Sequence, residues 1–251
     1  MNILELCKIS SDVYGSKSTI KKKWEKRGYK VTVVKSDKFN ISHGFSNLQA
    51  VILYKEDKVI VAFRGTDNLP NILKDIDTRK IPAKKYIPNA KGEIHKGFTI
   101  ACDEIFRKKV LPKLPESFKE IIFTGHSLGG AIAFLSTVYL SSNDDYTGLP
   151  IKLVTFGEPK SGDKDFCNYA KRTRLKSHYR IVNKIKHHKL TIVDQVPSFP
   201  FLGYAHGGKK LTVSSKIEEV FVFKNLLLEA HAISEYKESL KGNDKIAKKE
   251  I

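Results

Sequence analysis

Cysteine is scarce in this chain of 251 residues: Cys7, Cys102 and Cys167 are the whole set. Their number is odd, they lie far apart and no two form a CxxC pair, so no disulfide framework is evident. Each is expected to behave as a small apolar core residue. Long apolar runs are also missing; no stretch reaches the roughly 18 apolar residues of a membrane-spanning helix. The first fifteen residues carry Glu5 and no extended apolar segment, so they do not read as a secretory signal. The expectation is a soluble protein made inside a cell, cytoplasmic or peripheral to internal membranes. No repeat of fixed period is visible, and neither a zinc finger nor an aromatic RNA-binding motif is present. Acidic side chains are outnumbered, with 27 Asp and Glu against 45 Lys and Arg, a formal net charge of +18. That excess suits a lysine-rich solvated surface or attraction to an anionic one such as phospholipid head groups; nucleic acid is disfavoured without a motif.

What is there is the material of an α/β protein. With 41% hydrophobic residues the chain can bury a sizeable core. No linker divides it, so residues 1–251 are expected to form one domain. Leu4, Cys7, Val13 and Tyr14 suggest an amphipathic first helix, and a basic stretch around Trp24 precedes a strand at 31–34. Residues 48–54 and 59–63 are an apolar pair around the polar turn 55–58, a hairpin signature. Helices are expected over 100–114, 128–140 and 163–174, the last with Asp163 as N-cap, and within 225–240. Short apolar strands are expected at 121–124, 151–156 and 179–182, and a late hairpin from 211–214 and 220–223. Strands alternating with helices imply a mostly parallel sheet with helices on both faces. Runs such as Ile121, Ile122 and Phe123 suit strands buried on both sides.

The strongest local signal is Gly125-His126-Ser127-Leu128-Gly129. The pattern G-x-S-x-G is common by chance, but here it follows a short buried strand and opens an apolar helix, the setting that a nucleophile elbow requires. The logic is steric: the serine sits in a strained turn, and glycines at 125 and 129 remove the side chains that would clash. Gly130 and Ala131 let the helix lie close to the strand. The hydroxyl then stands near a helix N-terminus, where developing negative charge is favoured.

With the elbow in place, the sequence resembles the class 3 lipases, the family of the small fungal triacylglycerol lipases. Residues 125–131 resemble its elbow, and four other segments resemble family motifs in the same order. They are Val61-Ala62-Phe63-Arg64-Gly65-Thr66, His95-Lys96-Gly97-Phe98, Phe156-Gly157-Glu158-Pro159 with Gly162-Asp163, and His231 with Glu235, Tyr236 and Leu240. The resemblance implies the α/β-hydrolase fold, ester hydrolysis and no metal or organic cofactor.

A serine hydroxyl is a poor nucleophile until a histidine takes its proton, and a carboxylate must hold that histidine in the right tautomer. In α/β-hydrolases the chain order is Ser, acid, His. Asp144, Asp145, Glu158, Asp163, Asp165 and Asp194 all follow Ser127. Asp194 resembles the family's Asp-x-Val-Pro segment at a strand end and is chosen. The family usually places this acid soon after a Val-Asn pair; here Val182-Asn183 is followed by residues 184–189, an insertion or an extra hairpin. Two histidines come later. His231 stands where the family carries its base, whereas His206, in Gly203-Tyr204-Ala205-His206-Gly207-Gly208, resembles a structural segment. His126 is read as a packed histidine, and His187-His188 as a solvated pair without metal-ligand spacing.

The backbone N–H of Leu128, next after the nucleophile, is one expected oxyanion donor; by resemblance Thr66 supplies the second. Leu69, Ile72, Leu73 and Ile76 recur at helical spacing, and the family can carry a lid at this place; a core-packed helix fits the spacing equally. The expected substrate is a lipid ester such as an acylglycerol, with phospholipase, thioesterase or acyltransferase chemistry on the same residues as alternatives. A non-catalytic scaffold is the reading from a different class.

Overall fold

The computed structural model describes residues 1–36, 48–66, 77–187, 190–200, 202–216 and 229–251. The segment 69–76 and the second arm of the expected late hairpin, 220–223, lie outside the described residues, as does His188.

Two helices open the chain, α1 (Ile3–Asp12) and α2 (Lys17–Glu25). Asn2 caps α1, its side chain accepting the Glu5 N–H at 3.0 Å, and Trp24 buries the inner face of α2. Three strands follow, β1 (Lys30–Lys35), β2 (Gln49–Lys55) and β3 (Lys58–Phe63), all antiparallel. The β2–β3 turn is made by Glu56 and Asp57, both with positive φ (50° and 58°), the backbone of a tight hairpin. The expected hairpin is therefore present with a two-residue turn. A small two-stranded sheet, β4 (Lys80–Pro82) with β5 (Glu93–His95), comes next. It leads into α3 (Lys96–Cys102), which continues as wider, π-type turns over Asp103–Val110.

Then come β6 (Glu120–His126), α4 (Leu128–Ser141), β7 (Ile151–Phe156), α5 (Lys164–Ala170), β8 (Leu175–His187), β9 (Leu190–Val193), β10 (Lys209–Lys216), α6 (Ile233–Lys241) and α7 (Asp244–Ala247). The main sheet runs β1-β2-β3-β6-β7-β8-β10, with β9 paired to β8. From β3 to β10 its neighbours are parallel, so the expected mostly parallel sheet is observed.

Alternation along the strands splits the core in two. Val59, Val61, Phe63, Ile121, Phe123 and Leu153 face α3 and α4; Ile60, Ala62, Ile122, Val154, Phe156 and Ile181 face α1 and α6. Strands covered on both faces must be apolar at every position, which is why β6 reads Ile-Ile-Phe. Asp163 caps α5, accepting the Phe166 N–H at 2.8 Å, and the three cysteines are buried, both as expected.

Two expectations are corrected, and two others are met only in part by the described residues. The helix expected over 100–114 starts earlier, at Lys96, and loses α geometry from Asp103 onward. The strand expected at 179–182 extends over Leu175–His187 because its second half pairs with β9. Residues 211–214 belong to β10, which lies parallel to β8; the expected pairing of 211–214 with 220–223 lies outside the described residues. A helix within 225–240 is present as α6, beginning at Ile233, while residues 225–228 fall outside the described set.

The turn between β6 and α4 is tightly packed against β3. A Cβ on Gly129 would fall 2.1 Å from the Phe63 carbonyl oxygen and 2.8 Å from its carbon, both backbone atoms of β3 that cannot swing aside. Gly129→Ala is expected to destabilise the protein by about 1–3 kcal/mol through overpacking. Thermal unfolding of the variant against the parent checks this, with a fall in Tm of roughly 2–4 °C per kcal/mol for a chain of this size.

Candidate active site

Ser127 stands between the last residue of β6 and the first of α4. Its backbone is at φ 57°, ψ −128°, a region that costs a non-glycine residue about 1–3 kcal/mol and persists only where surroundings impose it. Here they do. The Ser127 N–H donates to the Phe156 carbonyl of β7 at 2.9 Å, and its own carbonyl accepts the Gly130 N–H at 2.8 Å. The turn lies at the carboxyl end of the parallel strands, where open α/β sheets present their ligands. Leu128 begins α4, so its N–H has no acceptor within the helix. The Arg64-Gly65-Thr66 turn, off the end of β3, lies alongside: a Cβ on Gly65 would be 3.2 Å from the Ser127 Cβ.

Asp194 follows β9. The extra hairpin is observed in its arms: β8 runs on past Asn183 to His187 and β9 returns antiparallel from Leu190, with Lys184 opposite Val193. The excursion closes on itself, and the Asp194 N–H donates to the Asn183 carbonyl at 3.1 Å. The chain thus reaches Asp194 beside Asn183 despite ten intervening residues. The carboxylate is 1% exposed and accepts three hydrogen bonds. His231 Nδ1–H reaches Oδ2 at 2.7 Å, the Tyr236 hydroxyl reaches the same oxygen at 2.6 Å, and the Val196 N–H reaches Oδ1 at 2.9 Å. The pair lies against the backbone of Gly157, just past β7, where a Cβ would come within 2.7 Å of the His231 ring and 3.0 Å of Asp194 Oδ2. The bond to Asp194 puts the remaining lone pair of His231 on Nε2. That nitrogen and Ser127 Oγ are both buried and make no hydrogen bond to the protein, a state often seen before substrate arrives.

The structure therefore brings Asp194 and His231 together and sets Ser127, Leu128 and Gly65–Thr66 around one turn. It keeps His206 apart: His206 Nε2–H donates to the Pro197 carbonyl at 2.6 Å. Three of the other acid candidates are also engaged elsewhere: Asp163 caps α5, and Glu158 and Asp144 have partners of their own. Glu158 accepts the Thr155 hydroxyl at 2.5 Å and sits 3.5 Å from His178 Nε2; burial alone would push its carboxyl up, but the His178 contact, with His206 and Arg180 nearby, holds it below the usual range. Asp144 pairs with Arg174 at the surface.

Two contributors escaped the sequence reading. Tyr236 appeared there only as part of a motif, yet it is wholly buried and doubles the donors on Asp194 Oδ2; burial and the carboxylate push its hydroxyl far above its ordinary pKa, so it stays protonated and donates. Asn183 donates Nδ2–H to the Ala230 carbonyl at 3.1 Å and accepts the Ser239 hydroxyl at 2.6 Å, tying β8 to the segment of His231 and to α6. The signal for both was a polar residue at a position that α6 or β8 must bury.

Three further histidines, the buried His95 and His126 and the partly buried His206, are held neutral. Burial lowers His95 to about 4 and, with the charge of Arg180, lowers His206 to about 4; burial and the neighbouring His231 push His126 well below its usual value. Among the described residues no group of three or more His, Cys, Asp or Glu is placed to hold a metal ion.

With this geometry in hand, residues 60–202 match the family described as Lipase (class 3). The chain is similar to a lipase of Rhizomucor miehei, 29% identical over 170 residues, which is 65% of this chain and 44% of that protein. It is similar to phospholipase A1-II 1 of Oryza sativa subsp. indica, 28% identical over 180 residues, 62% of this chain and 43% of that one. The chain thus spans less than half the length of these curated relatives. The solved Rhizomucor miehei lipase propeptide complex superposes with a TM-score of 0.63 at 25% identity, covering 84% of this chain and 67% of that one. Similarity at that level places the present sheet and helices in the α/β-hydrolase fold.

The neutral histidines set an acid limit on stability. In the unfolded chain each binds a proton below about 6.5; in the fold His95 and His206 do so only near 4. Between those values the unfolded state holds more protons, so stability is full above about pH 6.5 and falls as the pH drops toward 4, by up to roughly 1.4 kcal/mol per pH unit per histidine. Urea unfolding at pH 7.5 and 5.0 is expected to show this loss, and His206→Gln is expected to reduce it by about one histidine's share.

Proposed function

The chain belongs to the class 3 lipase family, and from that premise we propose that it is a serine hydrolase of lipid carboxylic esters, with Ser127 as nucleophile, His231 as general base and Asp194 as its orienting acid. The observation that carries this reading is the buried Asp194–His231 hydrogen bond beside a serine held at positive φ. His231 Nε2 takes the proton from Ser127 Oγ as that oxygen attacks the ester carbonyl. Asp194 stabilises the imidazolium so formed without itself taking the proton. His231 then gives the proton to the departing alcohol, leaving an acyl group on Ser127. Water, deprotonated by the same nitrogen, releases the acid and restores the serine. The oxyanion of each tetrahedral intermediate is received by the Leu128 N–H at the start of α4 and by Thr66, each donor worth about 3–4 kcal/mol of barrier by analogy with other acyl-transfer sites.

The substrate class follows from the relatives, which include both lipases and phospholipases A1. The net charge of +18 favours an anionic lipid surface as the place where the ester is met, and such binding weakens with salt over a Debye length of about 8–10 Å. A panel of esters tests the whole reading: acylglycerols and phospholipids of varied chain length, with and without added alcohol acceptors. Turnover is expected on lipid esters and is expected to fall at least about 10³-fold in Ser127→Ala and in His231→Ala, while His206→Ala retains it. Turnover that survives Ser127→Ala would remove that residue from its role, and loss confined to His206→Ala would reassign the base. Acyl transfer outrunning hydrolysis when an alcohol is added would make the enzyme an acyltransferase.

A further inference from the structure

His126 is the last residue of β6 and immediately precedes Ser127, yet its ring points away from the Ser127 turn's own partners and toward the segment of His231. Its Nε2 lies 2.7 Å from the His231 carbonyl oxygen. A carbonyl only accepts, so Nε2 carries the hydrogen and Nδ1 is left as an acceptor. That acceptor receives the hydroxyl of Tyr14, 2.9 Å away, from the residues that follow α1. The Tyr14 hydroxyl in turn lies under the 64–66 turn: a Cβ on Gly65 would fall 2.3 Å from it, and the Arg64 guanidinium stands 5.4 Å above its ring. The rings of His126 and His231 are 4.6 Å apart at 32°. One run of contacts thus joins the 64–66 turn, Tyr14, His126 and the backbone of His231.

We infer that His126, set by Tyr14, is a positioning residue that fixes the backbone of His231 so that its Nε2 meets the proton of Ser127. The inference rests on the reading of His231 as the base. His126 makes no hydrogen bond to the nucleophile's oxygen; it acts through the His231 carbonyl, while Asn183 holds the neighbouring Ala230 carbonyl. Two buried donors on successive carbonyls leave the base segment little freedom. Such constraint matters because an error of about 1 Å in a reacting group costs roughly 10²-fold in rate. The arrangement also suits the moment of proton transfer. His231 becomes charged, and a neutral ring at 4.6 Å adds no repulsion; burial of His126 keeps it in that form.

The test uses the purified 251-residue chain and p-nitrophenyl butyrate, with folding checked by circular dichroism. His126→Leu removes both contacts, His126→Gln restores a side-chain N–H of similar reach, and Tyr14→Phe removes one hydroxyl. Expected are a loss in kcat on the order of 10²-fold for His126→Leu at nearly constant KM, recovery of most of it in His126→Gln, and a loss of roughly fivefold in Tyr14→Phe, the rate equivalent of one neutral hydrogen bond. A purely structural role would lower Tm and leave kcat per folded molecule unchanged, with no rescue by glutamine. A kcat within twofold of the parent in folded His126→Leu, or a rise confined to KM, overturns the inference. If His126→Leu does not fold, Tyr14→Phe decides by the same criterion. His231→Ala run in parallel separates the two readings: an inactive His231→Ala beside an unaffected Tyr14→Phe and His126→Leu sinks only the positioning role, whereas an active His231→Ala sinks both.

Discussion

An ionised carboxylate taken out of water must be repaid locally, and Asp194 is the place where this protein meets that demand. At 1% exposure an unpartnered charge would cost several kcal/mol. Three donors converge on it from different parts of the chain: Val196 from the following turn, His231 and Tyr236 from segments around the start of α6. Satisfying one side chain therefore fixes the β8–β9 hairpin, which delivers Asp194 to Asn183, and the docking of α6, which delivers Tyr236. Asn183 extends the arrangement by binding Asp194 through its backbone and α6 through Ser239. The same bonds dictate the tautomer of His231, so a folding requirement and a chemical property have one cause.

How far this could be read from the residues depended on the range of the interactions. The β6–turn–α4 unit was legible because its code is local: apolar strand, small residues, apolar helix. The glycines at 125 and 129 were assigned to close approach, and Gly129 indeed abuts the backbone of β3. Asp163 as an N-cap was legible for the same reason. The long β8–β9 hairpin was legible as one of two readings of the interruption between Asn183 and Asp194, an insertion or an extra hairpin. What could not be read was non-local. The parallel pairing of β10 with β8 is set by a crossover. The π-type turns after Cys102 have no local marker; Ile105, Phe106 and Val110 keep a helical spacing that suits either geometry. Tyr14, Asn183 and Tyr236 meet their partners across separations of 42 to 112 residues, and nothing in their immediate neighbours announces a bond.

The costs of the site are gathered at one end of the sheet, and the rest of the fold is arranged to offset them. Ser127 holds a strained backbone, Ser127 Oγ and His231 Nε2 are buried without hydrogen-bond partners in the protein, and the charged side chains of Glu158 and Arg180 are buried. Each of these is locally unfavourable, and local rules are expected to be broken where function requires it. The compensation is apolar and two-sided. Phe63, Phe106 and Phe123 interlock on one face, with Phe63 and Phe123 stacked at 3° between planes, while Ile3, Leu6 and Ile9 close the other. Because the strands are buried on both faces, the turn that carries Ser127 is gripped from β3 and β7 at once. A reactive serine in that setting is held by packing that a surface loop could not supply, and its strain persists because relaxing it would mean separating two strands.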